Sequence, residues 1–106
     1  MGTMHHHALI VTSWNEDVIA DAHRFASEIS PHTSPIIKAD VNDYASFAVL
    51  PDGSKEGWGA SDTGDAARFA IIEWIDAKAY EDGSNQISWC EASFGELENT
   101  LRSNEE

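Results

Sequence analysis

Three consecutive histidines, His5, His6 and His7, are the residues whose type and spacing most directly suggest metal chemistry. In an extended strand, His5 and His7 share a face, so two imidazoles could bind the same ion. The further histidines of the chain are His23 and His32. Zinc requires three or four converging ligands, and no cysteine or carboxylate stands at ligand spacing beside the run. We therefore predict no metal site here.

The stretch from Asp52 to Thr63 resembles part of a calcium-binding loop. Asp52, Ser54 and Glu56 occupy the first, third and fifth positions of such a loop, and Gly57 occupies the sixth. The closing position requires a bidentate glutamate and holds Thr63 instead, and the residues before the loop are typical of a strand. The pattern therefore favours a solvated connection between a strand and a helix.

Motifs for nucleophilic or phosphate chemistry are missing from the sequence. Cys90, the single cysteine, lies in an apolar segment where a thiol is usually inert, and no serine stands in a G-x-S-x-G context. Gly57, Gly59 and Gly64 are not followed by the Gly-Lys-Ser/Thr of a phosphate-binding loop. We predict no catalytic residues and no cofactor. A small metal-dependent enzyme that uses His5, His7 and the 52–63 loop is kept as the alternative.

Acidic residues dominate the charge of the chain. Asp and Glu number 19 and Lys and Arg number 6, so the formal net charge is −13. Direct binding to a phosphate backbone needs clustered Lys and Arg, which the sequence lacks. Carboxylates arranged along a surface can instead imitate DNA phosphates and engage the basic groove of a nucleic-acid-binding protein. Acid-rich surfaces also keep small proteins soluble, and charge alone does not separate these two roles.

The length and composition limit the class of protein. A chain of 106 residues with 42% hydrophobic residues forms one domain with one core. No stretch approaches the ~18 apolar residues of a membrane span, and the beginning of the chain lacks the pattern of a secretory signal. A single cysteine excludes an internal disulfide and favours a reducing compartment. We expect a cytoplasmic protein.

Two segments have helical periodicity. From Glu16 to Ile29, apolar residues recur every three or four positions, with Asn15 as the N-cap and Pro31 after the end. A second helix is predicted to begin near Asp62 or Thr63 and to run to about Tyr80. Each helix places acidic residues opposite its apolar stripe, which predicts one electronegative surface if both helices lie on the same side of a sheet.

Four segments are predicted to be strands. The uninterrupted apolar centre of His5–Trp14 is typical of a central strand, and Ile87–Phe94 is the last candidate. Ile36–Val41 and Tyr44–Leu50 flank Asn42-Asp43, residues that tolerate the left-handed angles of a tight hairpin turn.

The resulting order, β-α-β-β-α-β, predicts an α+β fold of the ferredoxin-like, split βαβ type. Two helices would cover one face of a four-stranded antiparallel sheet, with the first and third strands side by side in its centre. A three-stranded variant with Ile36–Val41 as a loop is the alternative. Residues 1–94 form the predicted domain, and 95–106 form a flexible acidic tail. The predicted core comprises Leu9, Val11, Val18, Ala22, Phe25, Ile29, Phe47, Val49, Ala67, Ile71, Trp74 and Ile75.

The second face of such a sheet has no cover within the domain. Trp89 and its neighbours are predicted to lie on that face and to cover it by forming a homodimer, since exposed aromatic sheet faces commonly mark interfaces.

Several sequence blocks resemble a known group of proteins. The blocks are PDGSKEGW at residues 51–58, Ser61-Asp62 with Gly64-Asp65, YEDGS at residues 80–84, and the Trp74-Ile75 pair in the second helix. Over residues 8–95 the chain is similar to short uncharacterised acidic proteins encoded by bacteriophages and prophages. The resemblance implies no catalytic residues. It implies a phage accessory protein acting inside a bacterial host cell, where such proteins often block a nucleic-acid-handling or defence complex, including CRISPR effectors.

The sequence thus predicts a non-catalytic acidic protein-binding module. It would engage or inhibit a host nucleic-acid-handling or defence protein with a basic surface, by mimicry of DNA, without binding nucleic acid or membranes itself. A structural virion component is a further alternative. A long, glycine-rich connection that carries a tryptophan suggests Trp58 as an apolar anchor. The full set of predicted contact residues is Asp17, Asp21, Glu28, Trp58, Asp62, Asp65, Glu73 and Asp76.

Overall fold

A computed structural model of the chain describes residues 3–55 and 57–104. Within them, two helices pack against a five-stranded antiparallel sheet with the strand order β2-β3-β1-β4-β5. No described helix is both long and apolar enough to cross a lipid bilayer. The elements are β1 (His5–Ser13), α1 (Glu16–Ile29), β2 (Ile37–Lys38), β3 (Ala45–Val49), α2 (Gly59–Asp76), β4 (Ile87–Gly95) and β5 (Thr100–Ser103).

Helix α1 begins and ends where the sequence predicts. The Asn15 side chain accepts hydrogen bonds from the backbone N–H groups of Asp17 and Val18, which satisfies two donors that the first turn leaves unpaired. Ser30 has extended backbone angles before Pro31, and its N–H donates to Ala26. The local capping residues therefore suffice to set both ends of this helix.

Strand β1 is the central strand of the sheet and pairs with both β3 and β4. The first and third strands are therefore neighbours, as predicted. Leu9 and Val11 are fully buried, whereas Ile10 between them is 47% exposed. Because strand side chains alternate between the two faces, this pattern shows that one face of the sheet is covered and the other is open. The buried apolar residues of both helices belong to the same core cluster as Leu9 and Val11, so both helices lie on the covered face.

The predicted hairpin between β2 and β3 is confirmed. Asn42 and Asp43 both have left-handed backbone angles, with φ of 62° and 57°. Strand β2 pairs with β3, which rules out the three-stranded variant, but it is limited to Ile37–Lys38. Beyond it, the N–H of Ala39 still donates to the carbonyl of Tyr44 at 2.8 Å.

The predicted number of four strands was wrong. Residues 100–103, assigned to the tail, form strand β5 and pair with β4 from Cys90 to Ser93. Polar contacts hold this strand in place. The Asn104 amide accepts from the backbone N–H of Trp89 at 2.9 Å and donates to the Ile87 carbonyl at 2.8 Å.

Helix α2 is shifted from its predicted bounds. It begins at Gly59, three or four residues earlier than expected, with Trp58 as an N-cap that has no side-chain hydrogen bond to the helix. It ends at Asp76, before the predicted end near Tyr80. The Asn85 side chain donates to the Ile75 carbonyl at 2.8 Å and satisfies an acceptor of the last turn.

Most of the predicted core is confirmed. Leu9, Val11, Ala22, Phe47, Val49, Ile71 and Ile75 are buried, and Val18, Phe25 and Trp74 are partly buried against them. Ala67 is half-buried, and Ile29, at the end of α1, is 37% exposed, so its assignment to the core was wrong. The placement of Trp89 on the open face was also wrong. Trp89 has the same parity as Ile87 along β4, faces the helices and is only 7% exposed.

Candidate functional site

The carboxylates of α1 extend along its solvent side. Asp17, Asp21 and Glu28 are exposed, as predicted. Asp17 lies in the first turn, where the partial positive charge of the helix N-terminus stabilises an anion. Asp21 is paired with Arg24 at 2.8 Å, but both side chains are mostly exposed, so the pair is screened by water.

Helix α2 carries the second group of predicted carboxylates: Asp62, Asp65, Glu73 and Asp76, all exposed. Two of them have structural partners. Asp65 forms an ion pair with the buried guanidinium of Arg68. Asp76 accepts a hydrogen bond from the indole N–H of Trp89 at 3.0 Å and so fixes the end of α2 to the sheet. Asp62 and Glu73 are therefore the members of this group best placed to contact a partner.

Trp58 is 51% exposed and precedes α2. The ammonium of Lys55 lies 5.9 Å from the centroid of its ring, a distance at which a cation is weakly attracted to the ring face. Sixteen residues separate Trp58 from Trp74, which corresponds to ~24 Å along a helix. The predicted anchor therefore lies far from Trp74, whose ring is partly buried.

A cleft of about 240 Å³ lies between the beginning of α1 and the end of α2. Trp74 is stacked on Phe25 with ring centroids 5.5 Å apart, and the ammonium of Lys78 lies 4.7 Å from the Trp74 centroid. The cleft thus combines an aromatic wall with charged groups of both signs at its rim. Its lining residues are Val18, Asp21, Trp74, Lys78, Tyr80, Asn85 and Gln86. The sequence analysis did not identify this cleft, because its residues come from separate segments that only the helix packing brings together.

A buried ionic cluster joins α2 to the sheet and was also missed. Arg68 donates from Nε to Glu91 Oε2 at 3.0 Å, and both side chains are about nine-tenths buried. Arg102 of β5 donates to the other oxygen of Glu91 at 2.7 Å. Both buried residues carried a signal in the sequence. Arg68 has the helical phase of Ile71, Ile72 and Ile75, and Glu91 has the strand phase of Ile87 and Trp89.

The histidine run lies in β1, and His5 and His7 share a face as predicted; it is the face that the helices cover. Their rings are 4.9 Å apart, and Nδ1 of His7 is 2.9 Å from the Ser93 hydroxyl. His23 lies elsewhere, with Nε2 at 2.8 Å from the Ser34 carbonyl. Among residues 3–55 and 57–104, no three His, Cys, Asp or Glu side chains are grouped so that they could hold a metal ion.

The loop that resembles a calcium site forms a local turn. Asp52 accepts hydrogen bonds from both the hydroxyl and the backbone N–H of Ser54, at 2.6 and 2.8 Å. These two bonds lower the pKa of Asp52, with smaller contributions from the charges of His32 and Arg68. Thr63 lies inside α2, where its hydroxyl donates to the Gly59 carbonyl at 3.0 Å. Glu56, the predicted fifth-position ligand, lies outside the described residues.

Comparisons with known proteins identify no relative. No protein-family model, curated protein or solved structure matches this chain.

Proposed function

We propose that this protein is a non-catalytic binding module, whose exposed helical carboxylates engage a protein with a basic surface. We further propose that β1 to β4 and the two helices form a ferredoxin-like, split βαβ arrangement, with β5 as an added edge strand. The order β2-β3-β1-β4, antiparallel throughout, supports this assignment.

The observation that carries the functional proposal is the segregation of charge between the two sides of the protein. Asp17, Glu28, Asp62 and Glu73 are exposed on the helices. In contrast, the strand residues that alternate with the buried positions of the sheet are uncharged. The helical carboxylates thus lie on the side of the sheet opposite the uncharged face, and such a concentration of charge steers an oppositely charged partner onto that side and orients it there.

The cleft between the helices supplies a second element of recognition. Charges exposed to solvent contribute mainly to the rate of encounter and to orientation, whereas a side chain buried in a pocket contributes most of the affinity. Trp74 and Val18 offer apolar surface, and Asp21 offers a carboxylate at the rim. Because the Lys78 ammonium already lies 4.7 Å from the Trp74 centroid, we propose that an apolar side chain of the partner inserts here, while Trp58 provides a separate contact at the other end of α2.

The resemblance to phage-encoded acidic proteins suggests where the partner is found. We propose a bacterial host protein that handles nucleic acid, since its groove carries the positive charge that this surface complements. Inhibition by mimicry of DNA would follow, because the helical carboxylates and the nucleic acid would compete for one groove.

The proposal is tested with two matched charge-reversal variants. Glu28→Lys/Glu73→Lys changes the helix layer, and Asp40→Lys/Glu98→Lys changes exposed acids outside it; each pair shifts the formal charge by +4. Glu28 and Glu73 lie toward the C-terminal ends of their helices, where a cation is favoured by the helix dipole, so the folds should persist. Asp65 and Asp76 are left intact because they hold Arg68 and Trp89.

Each variant is used as bait in a bacterial lysate at low and moderate salt. We expect the wild-type chain and the Asp40/Glu98 variant to recover the same nucleic-acid-binding protein at low salt, with a steep loss at moderate salt. The Glu28/Glu73 variant should not recover it. Equal recovery by both variants, or equal loss in both, would show that the helix layer has no specific role.

A further inference from the structure

The open face of the sheet is formed by side chains without formal charge. Its members alternate with the buried positions along the strands, and they include four exposed apolar residues, Ile10, Ile37, Phe94 and Leu101. None of the described strand residues on this face is Asp, Glu, Lys or Arg. The face comprises His6, Ala8, Ile10, Thr12, Ile37, Ser46, Ala48, Ser88, Cys90, Ala92, Phe94, Leu101 and Ser103.

We propose that this face binds a second copy of the same chain, so that two sheets pack face to face around a two-fold axis near Ile10. Ile10 is the central open-face residue of the central strand, with Ala48 and Cys90 as its neighbours in register. A two-fold axis brings each such position close to its own copy, which requires a surface that does not repel itself. An uncharged face meets that requirement.

The net charge of −13 argues for a second copy on this face and against one on the helices. Contact through the helices would bring carboxylates of two copies together. Contact through the sheets leaves the two helix layers on opposite sides of the dimer, on the order of 30 Å apart if each layer adds ~10 Å. That separation exceeds the Debye length of ~8 Å at physiological salt several-fold, so the mutual repulsion is largely screened.

The size and relief of the face set the strength of the dimer. The five strands contain 29 residues, which at ~4.8 Å between strands and ~3.3 Å per residue cover roughly 460 Å² before side-chain relief is counted. A standard interface needs roughly 600–1,000 Å² from each partner, so we expect a weak dimer that forms in the micromolar range. A shallow hollow of about 440 Å³, lined mainly by apolar atoms, lies over Ser46 and Ala48 between Ile10 and Ile37. Lys38 of the edge strand also lines it, and its ammonium is paired with Glu16 at 3.4 Å. The hollow offers room for apolar side chains of the second copy.

Sedimentation velocity of the full chain tests the proposal, at concentrations from about 1 to about 100 µM. The wild-type chain should change from monomer to dimer over this range. Ile10→Asp should remain monomeric, because it would place two carboxylates near the axis. Ala20→Asp, which adds the same charge to the exposed side of α1, should dimerise like the wild type. Circular dichroism of the dilute proteins checks that each variant is folded.

A second variant keeps the test decisive if Ile10→Asp fails to fold. Ile10→Ala should weaken dimerisation by about tenfold or more, since a central apolar residue of an interface contributes disproportionately to affinity. Moderate salt should strengthen the dimer, because it screens the net repulsion, whereas it weakens the binding of a basic partner. A monomer throughout the range, or a dimer that Ile10→Asp leaves intact, would overturn the proposal; neither outcome bears on the acidic helix layer.

Discussion

The guanidinium of Arg68 and the carboxylate of Glu91 form an ion pair between helix α2 and strand β4. Nε donates to Oε2 at 3.0 Å, and the two side chains are only 9% and 10% exposed. Asp65 on the Arg68 side and Arg102 on the Glu91 side extend the pair, so two positive and two negative charges alternate. Because burying a charge is unfavourable unless it is paired, this alternation is what allows both side chains to lie under the helix.

Glu91→Gln should destabilise the fold strongly. The substitution keeps the size of the side chain but leaves the buried Arg68 with Asp65 as its remaining carboxylate. We expect the free energy of unfolding to fall by about 3 kcal/mol, the effect typical of breaking a buried pair from one side. Chemical denaturation monitored by circular dichroism measures the change.

Arg24→Met is the matched control for this prediction. Its partner Asp21 is about half exposed, and surface pairs of this kind contribute little, so the loss should stay below about 1 kcal/mol. Arg68→Met/Glu91→Gln should lose less than the sum of its two single variants, because the second substitution removes the unpaired charge. An additive double variant would show that the two groups are not coupled.

Asp76→Ala should loosen the end of α2. Its carboxylate accepts from the Trp89 indole, a donor on a ring that is 7% exposed. Loss of the acceptor leaves a nearly buried N–H unsatisfied, at a cost of about 1–3 kcal/mol. Asp76→Asn keeps an oxygen acceptor and should lose much less. Thermal melting compares the two, and equal losses would indicate that charge, and not the hydrogen bond, is responsible.

Local signals account for the parts of the fold that were predicted correctly. Asn15, the periodic apolar residues and Pro31 set the bounds of α1 without help from distant residues. Strand β5 was missed because the contacts that stabilise it come from residues distant in the sequence. Arg102 pairs with Glu91, and Asn104 bonds to the backbone at Trp89 and Ile87, contacts that neither the apolar content nor the periodicity of residues 100–104 reveals.

The candidate site, like the fold, was predictable only where local sequence patterns determine it. Exposure of the acidic residues follows from their position opposite the apolar stripes, and the structure confirms it. Asp65 and Asp76 are structural acceptors because the fold brings Arg68 and Trp89 beside them, and local patterns do not reveal these contacts. Trp89 was assigned to the wrong face, so its indole could not be recognised as a donor to α2. The cleft at Trp74 depends in the same way on how the two helices meet.

Gly95→Ala should be poorly tolerated. Gly95 has a φ of 134°, a region that residues with a Cβ rarely adopt, and an added Cβ would lie 2.6 Å from the Met4 carbonyl oxygen. We expect a loss of about 1–3 kcal/mol in unfolding free energy from backbone strain. Gly59→Ala is the control, since nothing lies within 4 Å of its Cβ position and alanine favours the helix. A melting temperature of Gly95→Ala at or above that of the wild type would contradict the close approach of Gly95 to the Met4 carbonyl oxygen.

The turn at Asp52 should respond to pH in a defined direction. Hydrogen bonds from Ser54 hold the pKa of Asp52 below its ordinary value of 3.8. A carboxyl whose pKa is lower in the folded state stabilises the fold above its unfolded pKa, and this contribution is lost as the pH falls through the folded pKa. Ser54→Ala should therefore raise the pKa of Asp52 toward 3.8 and slightly destabilise the protein at neutral pH. The difference in stability from the wild type should shrink as the pH falls below that value.

The chain provides its own reciprocal control in a second turn of the same type. The Ser84 hydroxyl and backbone N–H donate to Asp82, at 2.7 and 2.9 Å, and lower the pKa of that carboxyl in the same way. Carbon-detected NMR titration of the side-chain carboxyls resolves both aspartates in one experiment. Ser54→Ala should move the pKa of Asp52 and leave that of Asp82 in place, and Ser84→Ala should do the reverse, because each hydroxyl contacts one carboxylate. If Ser54→Ala left the pKa of Asp52 unchanged, the backbone N–H of residue 54 and the charges of His32 and Arg68 would have to hold it low, and Arg68→Met would then separate the N–H bond from the charge.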